Sequence, residues 1–361
     1  MPPTAPKYPD LPLVPAPSAF SGPTDRAKKL LKQVCDKAIK DGDFSITRSP
    51  LPCPIDKNEF FALKPYFWEA QPGCWERRDG QRNPMCDKPQ CQKQLQGMAL
   101  AVAALAAGAK NVDPAYAATA DTLLKVFFLD PETKMNPEVK YAQVNMGDCP
   151  MKGDKTFVVA TRYLILVSQA LPLLPPSPVV DGVKAWIQQQ VQWMETSEQG
   201  AAARASGNNI TMWYHAIYAS HLGALDPARA AEYAAQVMSS YAALTPAQVL
   251  DEELKRTKPR HYTLFALESL FEIAAVAGGG ANPPPPAIIA TLNGLVEFAR
   301  SVQPGQLDCE SDNDARYGPK LAWFQRVLDR WEGKAVSDED PDGSAWEGGW
   351  NQRTRLAWAL I

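Results

Sequence analysis

The stretch that decides the fold is Gly207-Asn208-Asn209-Ile210-Thr211-Met212-Trp213-Tyr214. A glycine and two asparagines precede an apolar run, and an asparagine side chain at this position caps the first turn of a helix. A helix over about 209–223 is therefore predicted. Its first turn would present unpaired backbone N–H groups and side-chain amides, which together suit an anion. A plain N-cap at Asn208 remains the alternative interpretation.

A second informative stretch follows some forty residues later and reads Glu253-Leu254-Lys255-Arg256-Thr257-Lys258-Pro259-Arg260-His261-Tyr262. Tyr262 is a candidate acid and base, although a phenol has an ordinary pKa of ~10. Cations within hydrogen-bonding range lower such a pKa, and Arg256 and Arg260 would supply them. The alternative is a tyrosine whose ring packs at a helix start with its hydroxyl in solvent.

Two further blocks lie upstream, and the first of them is rich in aromatic residues. One runs from Tyr66-Phe67-Trp68 to Arg77-Arg78-Asp79-Gly80-Gln81-Arg82-Asn83-Pro84, and the other from Phe128-Leu129-Asp130-Pro131 to Tyr141-Ala142-Gln143. In this order, the four blocks resemble those of the alginate lyase superfamily of polysaccharide lyases. They span residues 66–262, about half of the chain.

The resemblance implies a fold and a reaction. The fold is all-α, an (α/α) toroid or incomplete α/α barrel with long irregular loops. The reaction removes the proton at C5 of a uronate, which requires that the sugar carboxylate be neutralised. Asn208 and Asn209 would bind this carboxylate, and Arg256 would assist Tyr262, which takes the C5 proton and protonates the leaving O4. No metal or cofactor is implied. The substrate-binding candidates are His215, His261, Arg260, Trp213, Tyr66, Trp68, Lys57 and Gln143.

The chain departs from the family pattern at Ile210, where the family has a histidine after the asparagine pair. Isoleucine has no proton to exchange and cannot serve as a base. His215, seven residues after Asn208 and on nearly the same helix face, is a candidate substitute, as is His261. A packed core histidine is the alternative for His215. A second departure lies in the loop Pro54–Phe60, which keeps the Asp56 and Lys57 of the family pattern. It continues with Asn58-Glu59-Phe60, where the family has a pattern that contains a histidine.

These departures leave three functions open. The first is a lyase that cleaves a uronic-acid-containing polysaccharide of the alginate or glucuronan type by β-elimination. The second is a carbohydrate-binding pseudoenzyme that has lost turnover. The third is an enzyme on the same scaffold with a different substrate.

The composition limits the partners. Among 361 residues, 37 are basic and 40 acidic, giving a net charge of −3 and no electrostatic footprint for nucleic acid. No apolar run reaches the ~18 residues of a membrane span. We therefore expect an anionic polysaccharide or oligosaccharide as partner, with no nucleic acid and no membrane, and a monomer or weak dimer.

Seven cysteines are present, and four of them, Cys53, Cys74, Cys86 and Cys91, fall in one loop-rich segment. Such a segment has little core of its own, so at least one disulfide among these four is predicted. Unrelated thiols and a metal site are the alternatives. A disulfide would agree with a secreted protein, and the proline-rich start resembles a mature N-terminus.

Helical periodicity dominates the remainder, with proline-rich connectors between helices. Residues 1–24 are predicted to form an extended arm, 25–361 a single domain, and 45–92 a long irregular segment. The helices predicted at 209–223 and 261–277 should be inner neighbours that face one cleft. The other predicted helices lie at about 93–108, 114–128, 156–173, 180–196, 227–242, 286–302 and 319–332.

Overall fold

The computed structural model describes residues 25–42, 44–87, 91–145, 148, 150–279, 282–309 and 317–334. These residues are mostly helical. The predicted arm at 1–24 lies outside them. The helices are α1 (Asp25–Asp41), α2 (Cys91–Asn111), α3 (Tyr116–Leu124), α4 (Phe157–Thr161), α5 (Leu164–Ala170), α6 (Pro178–Thr196), α7 (Glu198–Arg204), α8 (Asn209–Leu225), α9 (Pro227–Ala242), α10 (Pro246–Val249), α11 (Asp251–Leu254), α12 (Pro259–Ala277), α13 (Pro286–Arg300) and α14 (Tyr317–Trp331).

Two layers of helices make the (α/α) toroid that was predicted. Helices α2, α5, α8 and α12 are buried along most of their length and contact one another in that order around the inside. Helix α9 buries only one stripe and packs outside α8 and α12. A helix that is apolar all round belongs in a core, whereas a striped helix belongs at the surface, so the sequence pattern explains this layering.

The predicted pair of inner helices is confirmed. Helices α8 and α12 are direct neighbours in the fold. Gly207 takes a φ of +71° before α8, and the Asn208 side chain accepts a hydrogen bond from the Ile210 N–H at 3.0 Å. Pro259 begins α12, where its fixed φ and missing N–H are tolerated.

The helix predicted at 156–173 is interrupted. Helix α4 ends at Thr161 and α5 begins at Leu164, so Arg162 lies at the break between them. A 3-10 turn, Leu171–Leu173, follows α5. Similarly, the helix predicted at 114–128 is α3 followed by a π-helical turn, Lys125–Leu129.

Short strands, which the sequence analysis did not predict, occur in and near the irregular segment. Strand β1 (Phe61–Leu63) pairs in parallel with β4 (Tyr141–Val144), and β2 (Phe67–Gln71) forms an antiparallel hairpin with β3 (Cys74–Arg77). The β1–β4 pair joins the irregular segment to the second upstream block. Two 3-10 turns, Ile46–Arg48 and Pro84–Asp87, complete this region.

Cys53, Cys74, Cys86 and Cys91 are thiols in the structure, so the predicted disulfide among them is wrong here. The Cys86 Sγ is 3.2 Å from the Lys64 carbonyl and the Cys91 Sγ is 3.9 Å from that of Ile46. Backbone hydrogen bonds and strand pairing hold the segment instead.

Within the described ranges, no helix is both long and apolar enough to cross a bilayer.

Candidate active site

A cleft of about 660 Å³ opens where α8 and α12 begin. Besides these two helix starts, its walls come from residues 64–67, from the turn that follows β3, and from the break between α4 and α5. Among the described residues, basic side chains on the walls far outnumber acidic ones. The basic ones are Lys64, Arg77, Arg82, Lys93, Lys155, Arg162, Arg256, Lys258 and Lys320, and the acidic ones are Asp154 and Glu268.

Asn208 and Asn209 both line the cleft at the first turn of α8. Asn208 is also the N-cap of the helix. Its role as an N-cap is therefore compatible with a position on the cleft wall. Ile210 follows them on the wall with 7% of its surface exposed. The position held by histidine in the family therefore presents an alkyl group to the cleft.

Asn209 is oriented by Glu253, a residue to which the sequence analysis gave no role. The Glu253 carboxylate accepts from the Asn209 backbone N–H at 2.7 Å and from its side-chain amide at 2.8 Å. Glu253 is 1% exposed, and this burial raises the pKa of its carboxyl, against the effect of the two Asn209 hydrogen bonds. The Asn209 amide is thereby held in one orientation.

Arg256 forms an ion pair with Asp79 at 2.6 Å, across 177 residues of sequence. Thr257 also donates to this carboxylate, through its hydroxyl at 2.9 Å. Although burial opposes ionisation of Asp79, the hydrogen bonds from Arg256 and Thr257 outweigh it and hold the pKa at about 2. The turn after β3 is thus tied to the start of α12.

Tyr262 lines the cleft with 5% of its surface exposed, and its ring centre lies 3.6 Å from the Arg256 guanidinium carbon. Within the described part of the chain, its hydroxyl makes no hydrogen bond of normal geometry, although the Tyr66 hydroxyl is close enough to interact with it. Burial raises the pKa of Tyr262 far above its ordinary value, and neighbouring Tyr66 adds to this because two adjacent phenolates repel, while Arg256 opposes it. Arg256 therefore acts in the predicted direction, but burial has the larger effect and the pKa is raised on balance.

Tyr66, Gln143 and His261 also line the cleft. Gln143 is 2% exposed and has a φ of +62°, a conformation that costs a non-glycine residue of order 1–3 kcal/mol. The His261 ring lies parallel to that of Phe265, with an interplanar angle of 7°. These two rings make a continuous wall on one face of α12.

Arg260 and His215 do not line the cleft. The Arg260 Nε donates to the Val302 carbonyl at 3.0 Å, and its guanidinium lies 5.1 Å from the Tyr317 ring centre. The His215 ring is 2.6 Å from the Tyr233 hydroxyl on α9, and burial lowers its pKa to about 4. Only the first turn of α8 reaches the cleft, so His215, almost two turns further along the helix, is too far from the cleft to line it.

Trp213, Trp68 and Lys57 also lie off the cleft. Trp213 is fully buried, with its ring centre 5.0 Å from that of Phe265, which it supports from behind. The Trp68 Nε1 donates to the Gln81 carbonyl at 2.9 Å, within the hairpin region. Lys57 is an exposed side chain that pairs with Glu132 at 2.8 Å.

Sequence reasoning gave no role to Asp79, Glu253, Arg162, Phe265 or Glu268. Asp79 and Glu253 were inside the quoted blocks, so position alone could have flagged them. Arg162 lies within an apolar run of the sequence. An isolated arginine in such a run is the feature that could have identified it as a site residue.

Comparisons with known proteins agree with this geometry. A family model described as alginate lyase matches residues 47–282. The crystal structure of an alginate lyase from Bacteroides ovatus is similar, with a TM-score of 0.74, 25% sequence identity and 93% of each chain covered. None of the curated proteins matches the chain.

Proposed function

Since the chain belongs to the alginate lyase family, and is thus a polysaccharide lyase, we propose that it cleaves a uronic-acid-containing polysaccharide of the alginate or glucuronan type by β-elimination. Tyr262 is the base and the acid of this reaction. One observation carries the proposal: the buried Tyr262 hydroxyl lies in a basic cleft, beside Arg256 and the start of α8.

The sugar carboxylate binds at the start of α8. The Asn209 amide, fixed by Glu253, and the amide of Asn208 supply donors there, and the helix N-terminus adds a partial positive charge. Neutralising the carboxylate makes the C5 proton more acidic, because the carbanion that forms shares its charge with that group.

Tyr262 then removes the C5 proton, and the electron pair of the C–H bond forms the C4=C5 double bond. The O4 leaving group departs with the proton that Tyr262 has just accepted, so the tyrosine returns to its starting state. The raised pKa favours the phenol, which suits the donation step. The first step needs the phenolate, whose population grows as the pH rises.

Ile210 restricts the stereochemistry. With no histidine on the opposite wall, both proton transfers are served by one tyrosine, which requires the C5 proton and O4 to lie on the same face of the sugar. His261, Gln143 and Tyr66, which line the cleft, bind the substrate.

We also propose that one lyase domain begins at residue 25; the predicted end of this domain, 335–361, lies outside the described residues. The protein acts outside the cell, because a polymer of this kind does not cross membranes, and it acts as a monomer or weak dimer.

The test is incubation with a panel of purified uronans while ultraviolet absorbance reports the conjugated double bond of the product. Absorbance that rises with wild type and not with Tyr262→Phe supports the proposal. If the protein binds uronans but cleaves none of them, the result favours the pseudoenzyme. If it cleaves an unrelated polymer, the result favours the enzyme with a different substrate.

A further inference from the structure

The hairpin of β2 and β3 has two faces of different character. In an antiparallel pair, residues that lie opposite each other share a face, and successive residues along a strand alternate between faces. Phe67 lies opposite Arg77, and Glu69 lies opposite Trp75, so these four residues share one face. Phe67 and Arg77 line the cleft. The face that carries Trp75 therefore continues the cleft wall.

The other face of the hairpin carries Trp68 and Glu76, whose side chains already contact protein groups. The Trp68 Nε1 donates to the Gln81 carbonyl at 2.9 Å, and the Arg78 guanidinium carbon lies 5.3 Å from the centre of a Trp68 ring. Arg78 also donates to the Glu76 carboxylate at 2.5 Å. The contacts of Trp68 thus hold the hairpin together.

Trp75 has no comparable contacts. It is half-buried, and within the described part of the chain its indole stacks on no other ring and makes no hydrogen bond. The carboxylate of Glu69, which lies opposite, accepts from the Gly73 N–H at 2.8 Å, toward the tip of the hairpin. A flat apolar surface with an N–H donor at its edge is therefore left for a ligand.

The position and charge of this face suit the polymer that the cleft binds. Trp75 lies two residues from Arg77 toward the hairpin tip, about 7 Å along the strand, which is comparable with the length of one sugar residue. The Asp79 carboxylate pairs with Arg77 at 2.7 Å and with Arg256 at 2.6 Å. Two cations share one anion, so the base of the hairpin keeps a positive charge that attracts a polyuronate.

We propose that Trp75 stacks on a sugar residue of the uronan chain just outside the cleft, and that the hairpin is thus an additional binding subsite. The C–H groups of the sugar ring meet the indole face, and the indole N–H donates to a hydroxyl or carboxylate. The occupant is the polysaccharide itself, because this face continues the wall made by Phe67 and Arg77. The inference rests on the proposed function and adds a preference for long chains.

The test measures kcat/KM for uronan oligosaccharides of increasing length. With the wild-type protein, long chains should be cleaved about tenfold more efficiently than the shortest chain that is cleaved, through a lower KM, because only they reach the indole. We call this ratio the length advantage. Equal kcat/KM at all lengths would overturn the inference.

Trp75→Val removes the ring and keeps a residue that favours strands. It should remove most of the length advantage, with less effect on the shortest chain, and Trp75→Tyr, which keeps a ring, should restore part of it. Trp68→Val, on the opposite face, is the matched control, which should lower the free energy of unfolding and keep the length advantage. A full length advantage in Trp75→Val, or an equal loss of it in both valine variants, would overturn the inference.

Two outcomes separate the inference from its premise. Failure to cleave any uronan would refute the proposed function, and the inference with it, whereas cleavage without a length advantage refutes the inference alone. If Trp75→Val does not fold, hydrogen exchange of Tyr262→Phe decides. Slower exchange of the amides of 67–77 with a long chain than with the shortest one supports the inference, and equal rates overturn it.

Discussion

The guanidinium of Arg256 stacks on the ring of Tyr262, with 3.6 Å between the guanidinium carbon and the ring centre. The same guanidinium donates to Asp79 at 2.6 Å. The cation therefore acts on the phenol through the ring face, in a cation–π contact, and not through a hydrogen bond along the hydroxyl. The chemistry of Tyr262 consequently depends on the turn that holds Arg256 in place.

Tyr262→Phe should abolish elimination and leave the fold intact. Only a hydroxyl is removed, and that hydroxyl makes no hydrogen bond of normal geometry among the described residues, so the free energy of unfolding should change by less than about 1 kcal/mol. Product absorbance and thermal unfolding measure the two effects. Full lyase activity in this variant would refute the mechanism.

Arg256→Ala should lower kcat/KM by the equivalent of about 2–4 kcal/mol, as deletion of one stabilising donor does. Arg260→Ala is the matched control, because this arginine lies four residues away and binds the Val302 carbonyl off the cleft. It should lose stability but keep its kcat/KM. Equal losses of kcat/KM in both variants would show that the stacking contact has no special role.

Asp79→Asn should destabilise the protein in a pH-dependent manner. The folded-state pKa of Asp79, about 2, is below its ordinary value of 3.8, so the carboxylate stabilises the fold above the ordinary value and loses this effect as the pH falls toward 2. Because the side chain is partly exposed, the difference from wild type at neutral pH should be about 1–2 kcal/mol. Denaturant unfolding at neutral and acidic pH measures it; a difference that persists at the acidic end would contradict the assignment.

Glu253→Gln should weaken substrate binding, since the side chain keeps only one acceptor for the two donors of Asn209. We expect KM to rise more than kcat falls, and the free energy of unfolding to drop by about 1–3 kcal/mol. Its neighbour Glu252 is exposed and pairs with Lys255, so Glu252→Gln is the control. An unchanged KM in Glu253→Gln would remove the positioning role.

Ile210→His should leave activity on the native substrate in place, because Tyr262 alone serves both proton transfers. It should add activity on the C5 epimer of that substrate, because it returns an imidazole to the opposite wall. Assays on epimeric uronans check this. Loss of native activity without any gain would indicate that the alkyl group itself is needed.

The helices that build the site were predictable, because caps and apolar periodicity are local signals. Helix α8 begins at Asn209 as predicted, and α12 begins at Pro259, two residues before the predicted start. The break at Arg162 was not predictable, since the apolar pattern runs through it without a proline or glycine. Strand β1 was missed because its partner, β4, lies almost eighty residues away.

The candidate site was also predicted only in part. The family blocks brought Asn208, Asn209, Arg256 and Tyr262 to one cleft, yet the direction of the Tyr262 pKa shift was predicted wrongly. Sequence proximity suggested that Arg260 would act on the phenol, but the helix turns this side chain toward Tyr317. Burial has a larger effect on the Tyr262 pKa than the arginine charge does, and the sequence does not reveal how buried each residue is.

The ion pair between Asp79 and Arg256 closes a loop of 177 residues. Contacts between such distant segments form late, because the entropy of closing the loop is lost before the contact can stabilise it. Helical content should therefore recover early when the denatured chain is refolded, and catalytic activity only at the end. The rate at which activity recovers therefore measures the final step of folding, in which the segment around Asp79 contacts the segment around Arg256.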